Sequence, residues 1–284
     1  MAIPAKLKQQ IETCLGTDIS FCQGIYGGNF ADAMTLHTVD GNRYFLKYAK
    51  ALPHDLFLAE AHGLGAIAAT NSIRTPGVLN AGADHLLLEW IDVQPARDGF
   101  WAVLGRQLAT MHNQTSERFG FGRSNYCGAT HQPNAWSEDG NRFFAEQRLL
   151  YQSKLAFNRG LLSVDDNRRI ERLCARLPEL VPEQPASLIH GDLWSGNKLC
   201  DAAGLPVLID PACYYGWAEA ELAMPRLFGG FDEAFYQAYQ EVCPLQPGWE
   251  ERCEIYNLYH LLNHLNLFGS GYYFPVQSIL KHYD

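Results

Sequence analysis

Three residues with oxygen-bearing side chains stand at telling intervals in the second half of the chain. Leu188-Ile189-His190-Gly191-Asp192-Leu193-Trp194-Ser195-Gly196-Asn197 is followed by Leu208-Ile209-Asp210-Pro211. Asn197 thus comes five residues after Asp192, and Asp210 thirteen after Asn197, each beside a short apolar run. An aspartate, an asparagine five residues on and an aspartate at the end of the next strand is how kinase-type sites hold ATP and its magnesium. Mg2+ takes hard oxygens from one or two side chains and the rest from phosphates and water. Asn197 and Asp210 would supply those oxygens, leaving Asp192 to accept a hydrogen bond from the attacking hydroxyl. A carboxylate with an ordinary pKa of about 3.9 is a weak base at neutral pH. Asp192 is therefore expected to orient the hydroxyl and take its proton late, which suits the loose transition state of phosphoryl transfer. Alone, Asp192 reads as a surface turn; the full set between apolar strands does not.

An ATP site also needs cationic help. Lys47 ends the apolar run Tyr44-Phe45-Leu46, where strand alternation can turn it toward a cleft. Glu60 follows 13 residues later on a predicted helix. A Lys–Glu pair presenting its ammonium to nucleotide phosphates is the expected arrangement, although either residue singly reads as a solvated charge. Gly27, Gly28 and Asn29 join two predicted strands and could bring backbone N–H groups near phosphates; a plain hairpin turn explains them equally well. No GxxxxGK[ST] occurs, which excludes an ordinary P-loop.

Two other patterns are decoys. Gly63-Leu64-Gly65-Ala66-Ile67-Ala68 matches a dinucleotide fingerprint but lies inside a predicted helix with no strand immediately before it. His260 and His264 share a helical face, but Leu261 stands where a zinc-protease glutamate would be. The two histidines are expected to hydrogen-bond within the helical region.

Around these residues the elements change character near residue 92. Ile3, Leu7, Ile11 and Leu15 recur at helical spacing. Strands are expected at Ile19–Tyr26, Phe30–Val39 and Arg43–Ala49, the last two joined by the Asp40-Gly41-Asn42 turn. A helix over 54–70 and strands near Val78–Asn80 and His85–Trp90 complete a small α+β lobe of five strands and one inserted helix. Beyond it helices dominate. Trp101, Leu104, Leu108 and Met111 mark one, residues 138–159 a second, and Ser163 with Asp166 caps a third. Short strands flank 188–210, with Gly204 at the return, and the last 65 residues read as helical.

Composition limits the function classes. The 22 basic against 31 acidic residues give a net charge of −9, and no basic run exceeds two, which argues against nucleic acid as a partner. No apolar stretch reaches 18 residues, so no membrane span is expected. The N-terminus lacks the apolar core of a signal peptide, which points to a cytoplasmic protein. The eight cysteines form no CxxC pair and read as reduced, mostly buried thiols.

The motifs resemble those of the fructosamine (ketosamine) kinase family, within the aminoglycoside-phosphotransferase and protein-kinase-like fold. His190-Gly191-Asp192-Leu193-Trp194-Ser195-Gly196-Asn197 resembles its catalytic loop and Leu208–Ala212 its metal-binding strand end. Tyr214-Tyr215-Gly216, Leu222-Ala223-Met224, Leu227–Phe231, Asn263-His264 and Phe268-Gly269 continue the pattern. Upstream, Phe45–Tyr48, Gly120-Phe121-Gly122 and Gln132-x-Asn134 agree. The resemblance implies an α+β, bilobal fold: a nucleotide-binding lobe over 1–91, with a five-stranded antiparallel sheet, and a mainly helical catalytic and acceptor-binding lobe over 92–284. It implies Asp192 as catalytic residue, Asn197 and Asp210 as magnesium ligands, Lys47 and Glu60 as the nucleotide-lobe pair, and Glu89–Ile91 as the hinge whose backbone meets adenine. It further implies ATP-dependent phosphorylation of the carbon-three hydroxyl of a ketosamine, free or on a protein lysine, after which the adduct breaks down and the amine is freed. Ribulosamines, erythrulosamines and fructosamines are the candidate acceptors.

Trp194, Tyr214, Tyr215 and Trp217 cluster in sequence near these motifs; aromatic faces suit a sugar ring or a lysine stem, and equally suit a core. Against the family pattern, Glu221 replaces an aspartate and could disturb a hydrogen bond beneath the catalytic loop. Gly140 replaces a tryptophan and Trp217 a histidine, changes expected to alter the acceptor pocket. The glycine-loop cysteine of eukaryotic members is unmatched, which argues against redox control there. Two other readings are a small-molecule kinase of the same fold with a different acceptor, such as an amino alcohol or aminoglycoside, and a silent nucleotide-binding protein. A monomer or homodimer is expected.

Overall fold

The computed structural model describes residues 3–25 and 31–284; Gly27, Gly28 and Asn29 lie outside the described residues. Helix α1 (Ala5–Leu15) buries Leu7 and Ile11 and ends at Gly16, whose φ of 69° forms a left-handed cap. Strands β1 (Ile19–Ile25), β2 (Asp32–Thr38) and β3 (Arg43–Tyr48) precede helix α2 (Leu56–Ala69), and β4 (Val78–Ala81) and β5 (His85–Glu89) follow it. These strands form one antiparallel sheet in the order β1-β2-β3-β5-β4. Alternation sorts its faces as the sequence suggests. Leu46 and Tyr48 of β3 pack with Leu7 and Ile11 of α1, while Phe45 packs with Phe57 and Leu64 of α2. Lys47 shares the α2 face.

The larger lobe opens with α3 (Phe100–His112) and the short strand β6 (Thr115–Ser116). The three-residue strands β7 (Asn125–Cys127) and β8 (Thr130–Gln132) form a hairpin that the periodicity did not reveal. The stretch read as one helix over 138–159 is α4 (Gly140–Phe144), a π-helical turn over Ala145–Leu149, and α5 (Leu150–Asn158). Helix α6 (Val164–Leu180) carries the expected capping box, Ser163 and Asp166 bonding each other's backbone N–H.

Then come β9 (Ala186–Ile189), β10 (Lys198–Cys200), β11 (Pro206–Leu208) and β12 (Tyr214–Gly216). The return between β10 and β11 has Gly204 at a φ of 87°. Helices α7 (Ala218–Phe228), α8 (Glu233–Val242), α9 (Trp249–Phe268) and α10 (Tyr273–His282) complete the lobe. α9 is buried on nearly every side and forms the axis of the main core. All eight cysteines are unpaired, and no helix among the described residues is long and apolar enough to cross a membrane.

Candidate active site

The loop that carries Asp192 leaves β9 at Ile189 through backbone that only glycine fits. Gly191 has a φ of 82°, and a Cβ there would lie 2.2 Å from the Ala212 carbonyl oxygen. Beneath the loop, Glu221 of α7 accepts hydrogen bonds from the His190 and Gly191 backbone N–H groups, both at 2.7 Å, and pairs with His112 Nε2 at 3.0 Å. The extra methylene at 221 thus does not disturb the expected support. Burial alone would raise the Glu221 carboxyl, but its bond and charge interaction with His112 and its contacts with His190 hold it below its ordinary value.

Asn197 ends a 3₁₀ turn and donates Nδ2 to the Asp192 carbonyl at 2.8 Å and to Asp192 Oδ2 at 3.0 Å. Its amide oxygen is thereby turned away from Asp192. Asp210 follows β11 in left-handed backbone, φ 57°, a conformation uncommon outside glycine, asparagine and aspartate and met at functional sites. Lys47 joins the lobes, donating to Glu60 Oε1 at 2.8 Å and to Asp210 Oδ1 at 2.6 Å. Burial would lower the Lys47 pKa, yet the charges of Asp210 and Glu60 outweigh it and keep the ammonium firmly protonated. Burial pushes Glu60 up to about 7, against the charge of Lys47. Burial, then the charge of Asp210, pushes Asp192 up to about 7 as well.

The residues expected from spacing therefore meet in one cleft of about 660 Å³, lined by Lys47, Glu60, Asp192, Trp194, Asn197 and Asp210. Asn197 and Asp210 offer hard oxygens, a donor set that fits magnesium. The same cleft is lined by Tyr126 and by Phe228, His264, Phe268 and Tyr272, whose rings pack on one another. Phe228, His264 and Phe268 fall in stretches that carry the family resemblance, but no local spacing brings the five together, because they come from the β7–β8 hairpin and the C-terminal helices. Trp194 is 43% exposed at the rim. Its indole lies over Gly196, where a Cβ would come within 2.3 Å of the ring.

Other expected residues lie elsewhere. Tyr214 and Trp217 are core residues, each 4% exposed. Tyr214 packs under the Arg148 guanidinium, 3.8 Å from the ring centre, and Trp217 packs against Phe119, Phe144 and Tyr256. Gly140 abuts Trp217, a Cβ there falling 2.7 Å from its Nε1. The exchanges at 140 and 217 are thus neighbours in the core and do not shape the cleft. Glu89 turns its carboxylate to Arg74 and to the Gly77 N–H, so a contact of the 89–91 hinge with adenine would be made by backbone, as expected of it. Of the decoys, Gly63 lets α2 approach, a Cβ there coming 3.1 Å from Pro211 Cγ. His264 Nδ1 donates to the His260 carbonyl at 2.8 Å.

A buried amide network fixes the segment after Asp210. Asn125 Nδ2 donates to the Cys213 carbonyl at 2.7 Å, Gln132 Nε2 to the Ala212 carbonyl at 3.0 Å and to Asn125 Oδ1 at 2.7 Å. Tyr259 donates to Gln132 Oε1 at 2.5 Å, and Arg148 Nη2 to Asn134 Oδ1 at 2.6 Å.

A five-stranded lobe carrying a Lys–Glu pair and a helical lobe carrying an Asp–Asn–Asp set, joined by the Lys47–Asp210 contact, define a protein-kinase-like phosphotransferase. The family model for fructosamine kinase matches residues 3–283, and the chain belongs to that family. A "probable ketoamine kinase" of Synechocystis is 45% identical over 249 residues, 86% of this chain and 84% of the relative. A chloroplastic protein-ribulosamine 3-kinase of Arabidopsis thaliana is 42% identical over 270 residues, 92% of this chain and 82% of the relative. A crystal structure of a "putative fructosamine-3-kinase" from Thermobifida fusca superposes with a TM-score of 0.90 at 31% identity, covering 97% of each chain.

Proposed function

We propose that the protein transfers the terminal phosphoryl group of ATP to the carbon-three hydroxyl of a ketosamine, an adduct of a ketose on an amine or lysine. The observation that carries this reading is the single cleft lined both by Lys47–Glu60, Asp192, Asn197 and Asp210 and by the mutually packed rings of Phe228, His264, Phe268 and Tyr272. Lys47, anchored by two carboxylates, stands where it can meet the nucleotide phosphates. Asn197 and Asp210 would hold magnesium, which bound with ATP offsets phosphate charge. Asp192 accepts the acceptor hydroxyl's hydrogen bond and takes its proton as the new bond to phosphorus forms. With its carboxyl pushed up to about 7, it is a better base than an ordinary aspartate. Trp194, Phe228 and Phe268 offer apolar faces for a sugar or a lysine stem. The 3-phosphate then eliminates, freeing the amine, so the reaction serves deglycation.

The test is a phosphoryl-transfer assay with Mg-ATP and ribulose-lysine, erythrulose-lysine and fructose-lysine. Phosphorylation at carbon three is expected from the wild type, with Asp192→Asn slower by about 10²–10⁴-fold. Bound Mg-ATP without transfer to any ketoamine would overturn the acceptor and favour another alcohol.

A further inference from the structure

Cys127 and His260 have no part in the phosphotransfer chemistry above, yet both sit against its base. Cys127 Sγ, a carboxylate oxygen of Asp192 and a ring nitrogen of His260 all lie within 4.8 Å of one another. The thiol is 3.8 Å from Asp192 Oδ1. The three residues come from three packed elements: the end of β7, the catalytic loop and the middle of α9. Cys127 and Asp192 line the cleft, and His260 stands behind them, 6% exposed.

His260 is the telling member. Its Nδ1 is buried with no hydrogen-bond partner among the described residues. A buried polar nitrogen left unpaired is costly and calls for a partner. Asn263, one turn on, donates to the Cys127 carbonyl at 3.2 Å and so ties the hairpin to α9. Gly128, with a φ of 62°, makes the turn that brings the cysteine to the cleft floor.

We propose that this thiol–carboxylate–imidazole set is a binding site for a borderline-soft divalent cation, zinc foremost, and that its occupation inhibits the enzyme by engaging Asp192. Zinc takes Cys sulfur at about 2.3 Å, His nitrogen at about 2.0–2.1 Å and carboxylate oxygen at about 2.0–2.2 Å, commonly with water as fourth ligand. Those bond lengths need the donors to close by about an ångström, within reach of side-chain rotation at 127, 192 and 260. On binding, the Cys127 S–H gives its proton to solvent through the cleft and the sulfur forms the metal bond; nothing is oxidised or reduced. Magnesium, which prefers oxygen, does not compete for a thiol and an imidazole. The set shares no ligand with Asn197 and Asp210.

Inhibition rests on Asp192 being the base; binding does not. The probe is Co2+, added in excess Mg2+ without nucleotide to chain kept reduced with a phosphine, and then displaced by Zn2+. The expected spectrum has a thiolate-to-cobalt charge-transfer band and intense four-coordinate visible bands. Cys127→Ser removes the charge-transfer band, and His260→Gln weakens Co2+ binding at least tenfold. In the transfer assay Zn2+ inhibits the wild type at least tenfold more strongly than it inhibits Cys127→Ser. A weak six-coordinate spectrum from the wild type, or a thiolate band surviving Cys127→Ser, would overturn the site. The expected spectra with no phosphoryl transfer to any acceptor would uphold the site and count against the kinase reading.

Discussion

In the proposed reaction Asp192 must be enclosed enough to exclude water and ionised enough to act as a base, and those demands oppose each other. Its carboxyl is pushed to about 7 by burial and by Asp210, against about 3.9 in an unfolded chain. The folded state therefore binds this proton more tightly, and stability is lost as pH rises from about 4 through about 7. Asn cannot ionise and escapes that loss. Asp192→Asn is thus expected to melt several degrees above the wild type at pH 8, with the gap shrinking toward pH 4, while activity collapses. Equal melting temperatures across that range would contradict the shift. At this scale the sequence was legible where chemistry forces a local spacing: Asp192, Asn197 and Asp210 lie within one strand–loop–strand unit. It was illegible at Cys127 and His260, which meet Asp192 only through tertiary packing. The same distance from local pattern explains Tyr214 and Trp217, whose nearness in sequence to the catalytic loop says nothing about which way each side chain faces.

Among the elements, α7 does more than cover the core. Its first turn holds the loop between β9 and Asp192 through the paired N–H groups of His190 and Gly191 on Glu221. Glu221→Gln puts an amide NH2 against one of two buried donors and removes the charge facing His112. It is expected to cost about 1.5–3 kcal/mol, the worth of a hydrogen bond to a charged group, and to lower kcat more than it raises the KM for ATP. Unchanged unfolding midpoint and kcat would remove this support role. The start of α4 and the residue before α7 are coupled through packing, since the Trp217 indole fills the space beside Gly140. Gly140→Trp alone should destabilise by about 1–3 kcal/mol through overpacking. Adding Trp217→His should recover at least about 1 kcal/mol of that, a coupling expected of residues in contact. Denaturant unfolding of the four proteins measures it, and simple additivity would disprove the shared space. Helices α1, α3 and α6 were readable from their apolar period, α6 also from its capping box, and α2 from its run of Ala and Leu. The π turn was not, because a single widened turn of five residues is too short to show a period of its own. Nor was the β7–β8 hairpin, whose three-residue strands are too short to show alternation.

In the whole molecule, α2 belongs to both lobes. It carries Glu60 to Lys47, lies against Pro211 and Cys213 through Gly63, and is met by Tyr126, whose hydroxyl donates to Asp55 Oδ1 at 2.6 Å just before the helix. The two-lobed plan was legible from the change of rhythm near residue 92, but the joint between lobes was not, since it consists of contacts between residues far apart in sequence.

The Lys47 bridge has a consequence for how the protein meets its nucleotide. Among the described residues lining the cleft stand one ammonium and three carboxylates, Glu60, Asp192 and Asp210, in a chain already at −9. Above pH 7 a bare polyphosphate entering this space meets repulsion in a confined region where charges are poorly screened. A fluorescent ATP analogue is expected to bind at least tenfold more weakly with a chelator than with magnesium, and equal affinities would refute it. On the proposed function the cleft would admit ATP only under escort: its occupancy would follow the supply of the metal-complexed nucleotide, and a cell short of free magnesium would idle this enzyme however much ATP it held.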